Sequence, residues 1–391
     1  MSQSHGRPLP LTHYDRILRK QPELAGFIAT DVAKLRSMDV GSISSVDTVP
    51  DSAHSACMEF FVGQMIAHAQ ARTGLPAHVV RTEIRSVPEF KSFLFSLNQD
   101  YHTLLNFELA GRKTFYFSDN LTDHLLATGL NIDADLVRLP FDTCMFVFTA
   151  DAALDAVYAL HGQQQPDFYG KAVSVFLTSL PDDDDHHPGC RKIIMTGNYW
   201  KSSDDQGIAF KREIAIRPGW GLDDALRTDW KALGEATEAT ALITPDDDSK
   251  FYTDGLALFR LCLNAALYLG SSDPDIVQRL SGRDAVMQRA DSVKSSAKAK
   301  KIRSEAKRES ALDFASVGEA MPPIRVTKQS GRDAGALGLD FREFAARFVV
   351  RGHWRNQACG PGLSERRLLW IKPYYKGPEM TELVNRPYVV R

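Results

Sequence analysis

Apolar residues recur every three to four positions along the first hundred residues. Between Tyr14 and Met38, Ile17, Leu18, Leu24, Phe27, Ile28, Val32 and Leu35 keep this spacing, which marks one buried helical face. Pro22 has no amide hydrogen to donate and so divides the stretch into two helices. Asp51 or Ser52 can cap the next helix, whose buried side uses Met58, Phe61, Val62, Met65, Ile66 and Ala69. Thr73-Gly74, with Pro76 beyond, ends it. Pro88 to Leu97 predicts a further, shorter helix.

The period then shortens. His102 to Ala110, Lys113 to Ser118, Thr143 to Thr149, Ala172 to Ser179, Lys192 to Thr196 and Ile208 to Ile216 are brief runs rich in Phe, Val, Ile and Tyr. Turn residues separate them, as expected of a mainly antiparallel sheet. Helical spacing returns from Thr253, with Leu256, Phe259, Leu263, Ala266 and Leu267 on a wide apolar stripe that Gly270 closes. Ser272-Asp273-Pro274 reads as the start of a short helix through Leu280. The class expected is α+β: an N-terminal helical region (1–98), a central sheet body with covering helices (99–281), a basic linker (282–340) and a basic C-terminal β-ribbon (341–391).

Charge sharpens this division. The net charge of −2 conceals a polarised chain: Gly282 to Arg391 holds 22 Lys and Arg against 12 Asp and Glu, while the rest carries a balance of −12. A basic tail of that kind suits a polyanion, and an acidic body suits a peptide bearing lysine or arginine. Attraction between the two parts of the same molecule is the alternative. Between Gly282 and Pro323 large apolar residues are few, so this stretch is expected to lie exposed and be partly helical. A chain ending near Ser281 is accordingly expected to keep most of its core.

From Arg347 to Gln357, a period of two places Arg347, Arg351, His353 and Arg355 on one face and Phe348, Val350 and Trp354 on the other. Cys359-Gly360-Pro361-Gly362 turns the chain into a second strand that brings Arg366, Arg367 and Lys372. Guanidinium groups bind phosphate oxygens bidentately, and Trp370, Tyr374 and Tyr375 offer rings on which unpaired bases can stack. The candidate nucleic-acid-binding residues are therefore Arg347, Arg351, His353, Arg355, Arg366, Arg367, Lys372 and Tyr374. The competing reading makes the aromatic residues core and the cations solvated.

Other chemistry is sparse. Hydrophobic residues at 43% and charged residues at 25% exclude wholesale disorder. Five scattered cysteines form no Cys-x-x-Cys pair, no apolar run is long enough to cross a membrane, and Met1 to Arg19 lacks a signal-peptide core. A reduced, cytoplasmic chain is expected. No P-loop, Gly-x-Ser-x-Gly, His-Glu-x-x-His or dinucleotide fingerprint occurs. Asp182 to Asp185 with His186 and His187 read as a solvated hairpin loop in preference to a metal site, and no cofactor is expected. His353 is the one weak catalytic candidate, since RNA cleavage would require a second proton-transfer group.

Several segments carry a resemblance. Arg351-Gly352-His353-Trp354-Arg355, the glycine turn and Trp370-Ile371-Lys372-Pro373 resemble a terminal signature of mobile-element proteins, among them a type V-A anti-CRISPR family. Leu139-Pro140-Phe141 running into Cys144 to Phe148 is similar to that family's Leu-Pro segment entering a buried strand. Gly255 to Leu269 followed by Asp273-Pro274-Asp275-Ile276 is similar to its helix ending before a Pro-Asp-Ile motif. The resemblance implies a non-catalytic anti-defence protein that recognises a nascent N-terminal peptide of a CRISPR effector nuclease and triggers loss of its message. The peptide specificity does not carry over, because the longer N-terminal region shows no match. A ribonuclease or toxin-like enzyme using His353 and a structural or interaction protein of a mobile element are the alternatives.

Overall fold

The computed structural model describes residues 9–37, 51–84, 87–160, 172–181, 190–200, 207–229, 256–281, 283–324 and 348–376. Its centre is a seven-stranded sheet. β1 (Thr114–Phe117) lies parallel to both neighbours, β2 (Thr143–Phe148) on one side and β7 (Phe314–Val317) on the other. Beyond β2 run β3 (Val173–Pro181), β4 (Arg191–Trp200) and β5 (Gly207–Ile216), each antiparallel to the one before. β6 (Ile276–Arg279) pairs antiparallel with β7 at the opposite edge.

Helices cover both faces. Alternate side chains of the central strands, including Phe117, Phe146, Phe148 and Val175, join one core with α6 (Asp119–Leu126), α7 (Asp151–Leu160) and α8 (Ala257–Leu269). The intervening residues Tyr116, Met145, Val147, Phe176 and Phe314 join a second core. There they meet α1 (His13–Lys20), α2 (Pro22–Ser37), α3 (Asp51–Thr73) and α5 (Pro88–Leu109). This double covering explains why the strands read as continuous apolar runs without alternation. The class is α+β, with most strand pairs antiparallel.

Local signals account for much of the helical layer. Thr12 and Asp15 form a reciprocal capping box at α1, and Pro22 opens α2 at its first turn, where a missing amide hydrogen costs nothing. Gly74 takes a positive φ of 70° after α3 and its amide donates to the Gln70 carbonyl. A further helix, α4 (Ala77–Ile84), follows.

Three expectations are corrected. His102 to Ala110 is not a strand but the second half of α5, because Leu97, Tyr101, Leu104 and Leu105 continue a helical stripe buried against the sheet. The segment after Pro274 is not a helix: Ile276 to Arg279 extends to pair with β7. The stretch read as an exposed, partly helical linker does supply two helices, α9 (Arg283–Asp291) and α10 (Ser296–Ala306), but it also holds β7, whose four residues are all buried in the sheet. A four-residue strand is diluted in a Lys/Ser/Ala average, so composition hid it. A chain ending at Ser281 would lack β7 and leave one side of β1 unpaired. The acidic run with its two histidines, and Arg347, lie outside the described residues.

Candidate nucleic-acid interface

The C-terminal segment forms two short antiparallel pairs in place of one continuous ribbon. β9 (His353–Cys359) pairs with β10 (Glu365–Ile371), and β8 (Phe348–Val350) pairs with β11 (Tyr374–Lys376). The break falls at Arg351-Gly352 and Lys372-Pro373, where the chain touches the body. The Gly352 amide donates to the Ala127 carbonyl at 3.1 Å, and its own carbonyl accepts from Gly129 N at 2.9 Å. A Cβ there would lie 2.6 Å from Thr128 Oγ1 and 2.8 Å from Pro373 Cδ, so only glycine permits this approach.

Register divides the β9–β10 pair into two faces. Trp354 opposite Trp370 and Asn356 opposite Leu368 share the face that carries the buried Trp354, while His353 opposite Ile371, Arg355 opposite Leu369 and Gln357 opposite Arg367 share the other. Trp354 is 4% exposed, and its Nε1 donates to Asn264 Oδ1 at 2.7 Å. Asn264, wholly buried on α8, donates through Nδ2 to the carbonyls of Leu125 and Thr128, both at 3.0 Å. One amide thus satisfies the end of α6 and the incoming indole together. Trp370 stacks on Trp354 with centroids 5.8 Å apart, meets Tyr268 edge-on at 5.3 Å and donates Nε1 to Thr128 Oγ1 at 3.2 Å. Ser272 Oγ donates to the Leu368 carbonyl at 3.1 Å.

His124 completes the seat. Its Nε2 lies 3.0 Å from the Pro322 carbonyl, its ring meets Trp370 edge-on at 5.9 Å, and its Nδ1 is buried without a hydrogen-bond partner. Burial depresses its basicity below the ordinary imidazole range; the Pro322 carbonyl opposes that shift and the nearby Lys372 charge adds to it. The ring is therefore neutral, with the proton on Nε2.

Arg351, His353, Arg355, Arg366, Arg367, Lys372 and Tyr374 are all exposed. They do not form one row. Only His353, Arg355 and Arg367 share the outer face; Arg366 sits opposite Ala358 on the other face, and Arg351 and Lys372 flank the break. Trp370 is half-buried, with Trp354 stacked on it and Tyr268 meeting it edge-on, which leaves less of its ring for base stacking. Lys372 Nζ lies 6.0 Å from the Trp370 centroid, at the outer limit for a cation–π contact. His353 makes no hydrogen bond or ion pair to a second acid–base group among the described residues. Among those residues, no group of three His, Cys, Asp or Glu could hold a metal ion, and no helix is long and apolar enough to cross a membrane.

The sequence reading missed Asn264 and Thr128. Asn264 did leave a signal, since an amide inside an Ala/Leu stripe is buried only when its hydrogen bonds are met.

A helix-covered mixed sheet carrying a basic hairpin, seated by a Gly and a Trp, defines an α+β protein whose signature residues are part anchor and part exposed charge. Residues 115–375 match the AcrVA2-like family, anti-CRISPR type V subtype A2, and the chain belongs to that family. The match opens at β1 and closes at β11, leaving the N-terminal helical layer outside it. The crystal structure of AcrVA2 is 11% identical with a TM-score of 0.35, covering 83% of this chain and 98% of that one. No curated protein matches the sequence.

Proposed function

We propose that this chain is a non-catalytic anti-CRISPR regulator in the cytoplasm of a bacterial host, encoded by a mobile element. It recognises a nascent segment of its target protein and lowers the level of the corresponding message through its basic C-terminal region, which contacts RNA or the ribosome. The observation that carries the reading is the docked hairpin: Trp354 and Trp370 hold it to α6 and α8 while Arg355 and Arg367 face outward. Such a rigid seat orders cations toward a partner without spending them on the fold. The acidic remainder of the chain suits a basic peptide, and β5 and β6 each pair with a single strand of the sheet, offering edges where an extended segment can add.

A reporter message tests this. It begins with the coding region for an effector nuclease's N-terminal segment and is made in three forms: native, synonymously recoded and frameshifted. Recognition of the peptide predicts message loss from the native and recoded forms and none from the frameshifted one. Equal loss from all three would overturn peptide recognition.

A further inference from the structure

The hairpin is not the densest positive surface on the molecule. α9 and α10 pack as a helical pair whose fully buried positions, among the described residues, are small: Ala290 on α9, and Ala299 and Ala306 on α10, with Val286, Met287 and Ile302 half-buried. Every other residue of α10 is exposed, including Lys298, Lys300, Lys301 and Arg303. Lys294 precedes the helix and Lys307 and Arg308 follow it, all exposed. Residues 283–309 hold nine Lys and Arg against four Asp and Glu. Arg303 pairs with Asp291 at 2.7 Å, but Lys294, Lys298, Lys300, Lys301 and Arg308 make no ion pair among the described residues.

The pair is held in place through its backbone. Arg19 Nη2 donates to the Lys307 carbonyl at 2.8 Å, Arg283 Nη1 to the Glu309 carbonyl at 3.4 Å, and Ser310 N to the Leu9 carbonyl at 2.9 Å. The Arg19 guanidinium thus covers the C-cap carbonyl of α10, where carbonyls would otherwise present negative charge, and Arg283 holds the chain just beyond it. Burial and the nearby Arg283 both make the Arg19 guanidinium harder to keep protonated than usual, as expected where positive charges gather.

Resting on the message-directed reading above, we propose that the outer face of α10 is the principal RNA-binding surface, gripping backbone phosphates without selecting bases. Lys298 and Lys301 lie on one side of the buried stripe and Lys300, Arg303 and Lys307 on the other, at the three- and four-residue spacings that align side chains along a helix. No aromatic residue occurs from 283 to 313, so no ring is offered for base stacking. A protein partner fits less well, since protein interfaces centre on aromatic or aliphatic anchors and are depleted in lysine.

The test uses the full chain and a fluorescently labelled oligouridylate of about 20 nucleotides, with anisotropy read across a salt series. Replacing Lys298, Lys300 and Lys301 together by Gln removes three phosphate contacts, so the slope of log affinity against log salt should fall by about 2 and low-salt affinity by about tenfold or more. The melting temperature should stay unchanged, because none of the three is buried. Unchanged affinity and slope in that variant would overturn the inference. If Arg355→Gln with Arg367→Gln then lost affinity, the contact would return to the β9–β10 hairpin, and the message-directed reading would stand. Absence of binding by the wild type would overturn both the surface and direct RNA contact, while the reporter still reads message loss separately. Tighter binding of polyglutamate than of RNA would overturn the inference in favour of an acidic protein.

Discussion

The two basic elements of the C-terminal third are built on opposite plans. The β9–β10 hairpin reaches into the sheet core with Trp354, packs Leu368 and Trp370 against it, and ties its indole to a buried asparagine. The α9–α10 pair fully buries only alanines among its described residues, half-buries Val286, Met287 and Ile302, and is held by hydrogen bonds to carbonyls just past α10. Both are cationic and both border segments of low hydrophobicity, so charge composition does not tell them apart. The difference lies in apolar area: a large aromatic removes far more surface from water than an alanine methyl, and stability follows that area. The hairpin is therefore part of the fold, whereas the helical pair can be altered on its outer face with little consequence for folding.

The strongest way to break this comparison is to remove both elements. Ending the chain after Ser281 deletes β7 along with them, exposing Phe115 and Phe117 on a β1 left unpaired on one side. The expected outcome is loss of the cooperative denaturant transition and of near-ultraviolet circular dichroism. A fragment that still unfolds in one sharp step would show that β7 and the hairpin are dispensable.

Trp354→Ala sharpens the comparison within the intact chain. It empties an indole-sized space and strips Asn264 Oδ1 of its donor, at a cost of about 3–5 kcal/mol. Lys300→Ala on the helical pair should stay within about 0.5 kcal/mol of wild type. Urea midpoints at equal slope measure both.

A smaller effect is read through pH. His124 is neutral in the fold with its basicity depressed from an ordinary value of 6.5, so below that pH the unfolded chain takes up a proton that the folded chain refuses. Its contribution to stability is complete above about pH 6.5 and is lost as the pH falls through that value. His124→Gln should flatten this part of the stability profile, whereas Lys300→Ala should leave it unchanged. Identical slopes with and without His124 would remove it from the hairpin's seat.

The helical entry to the chain was legible because its information is local. Pro22 and Gly74 act within one or two residues, and the stripe from Ile17 to Leu35 repeats at the pitch of a single helix. The resemblance at Arg351 to Arg355 was legible for a similar reason, and the structure supplies its physics: Gly352 permits contact with Thr128, Trp354 anchors, and Arg351, His353 and Arg355 remain outside. His102 to Ala110 misled because a helix buried on a sheet and a strand are both rich in large apolar residues.

What the sequence by itself determined is the list of cations, the α+β class and the turn chemistry, since charge, period and glycine geometry are properties of a few neighbouring residues. Only the tertiary structure decided that Phe314 to Val317 belongs inside the sheet, that Trp370 packs under Trp354 and Tyr268, and that Asn264 meets Trp354, 90 residues further along the chain. Those outcomes depend on partners distant in the chain. Which apolar surface a strand or ring buries is settled by whatever arrives to exclude the water, and no local window contains that partner.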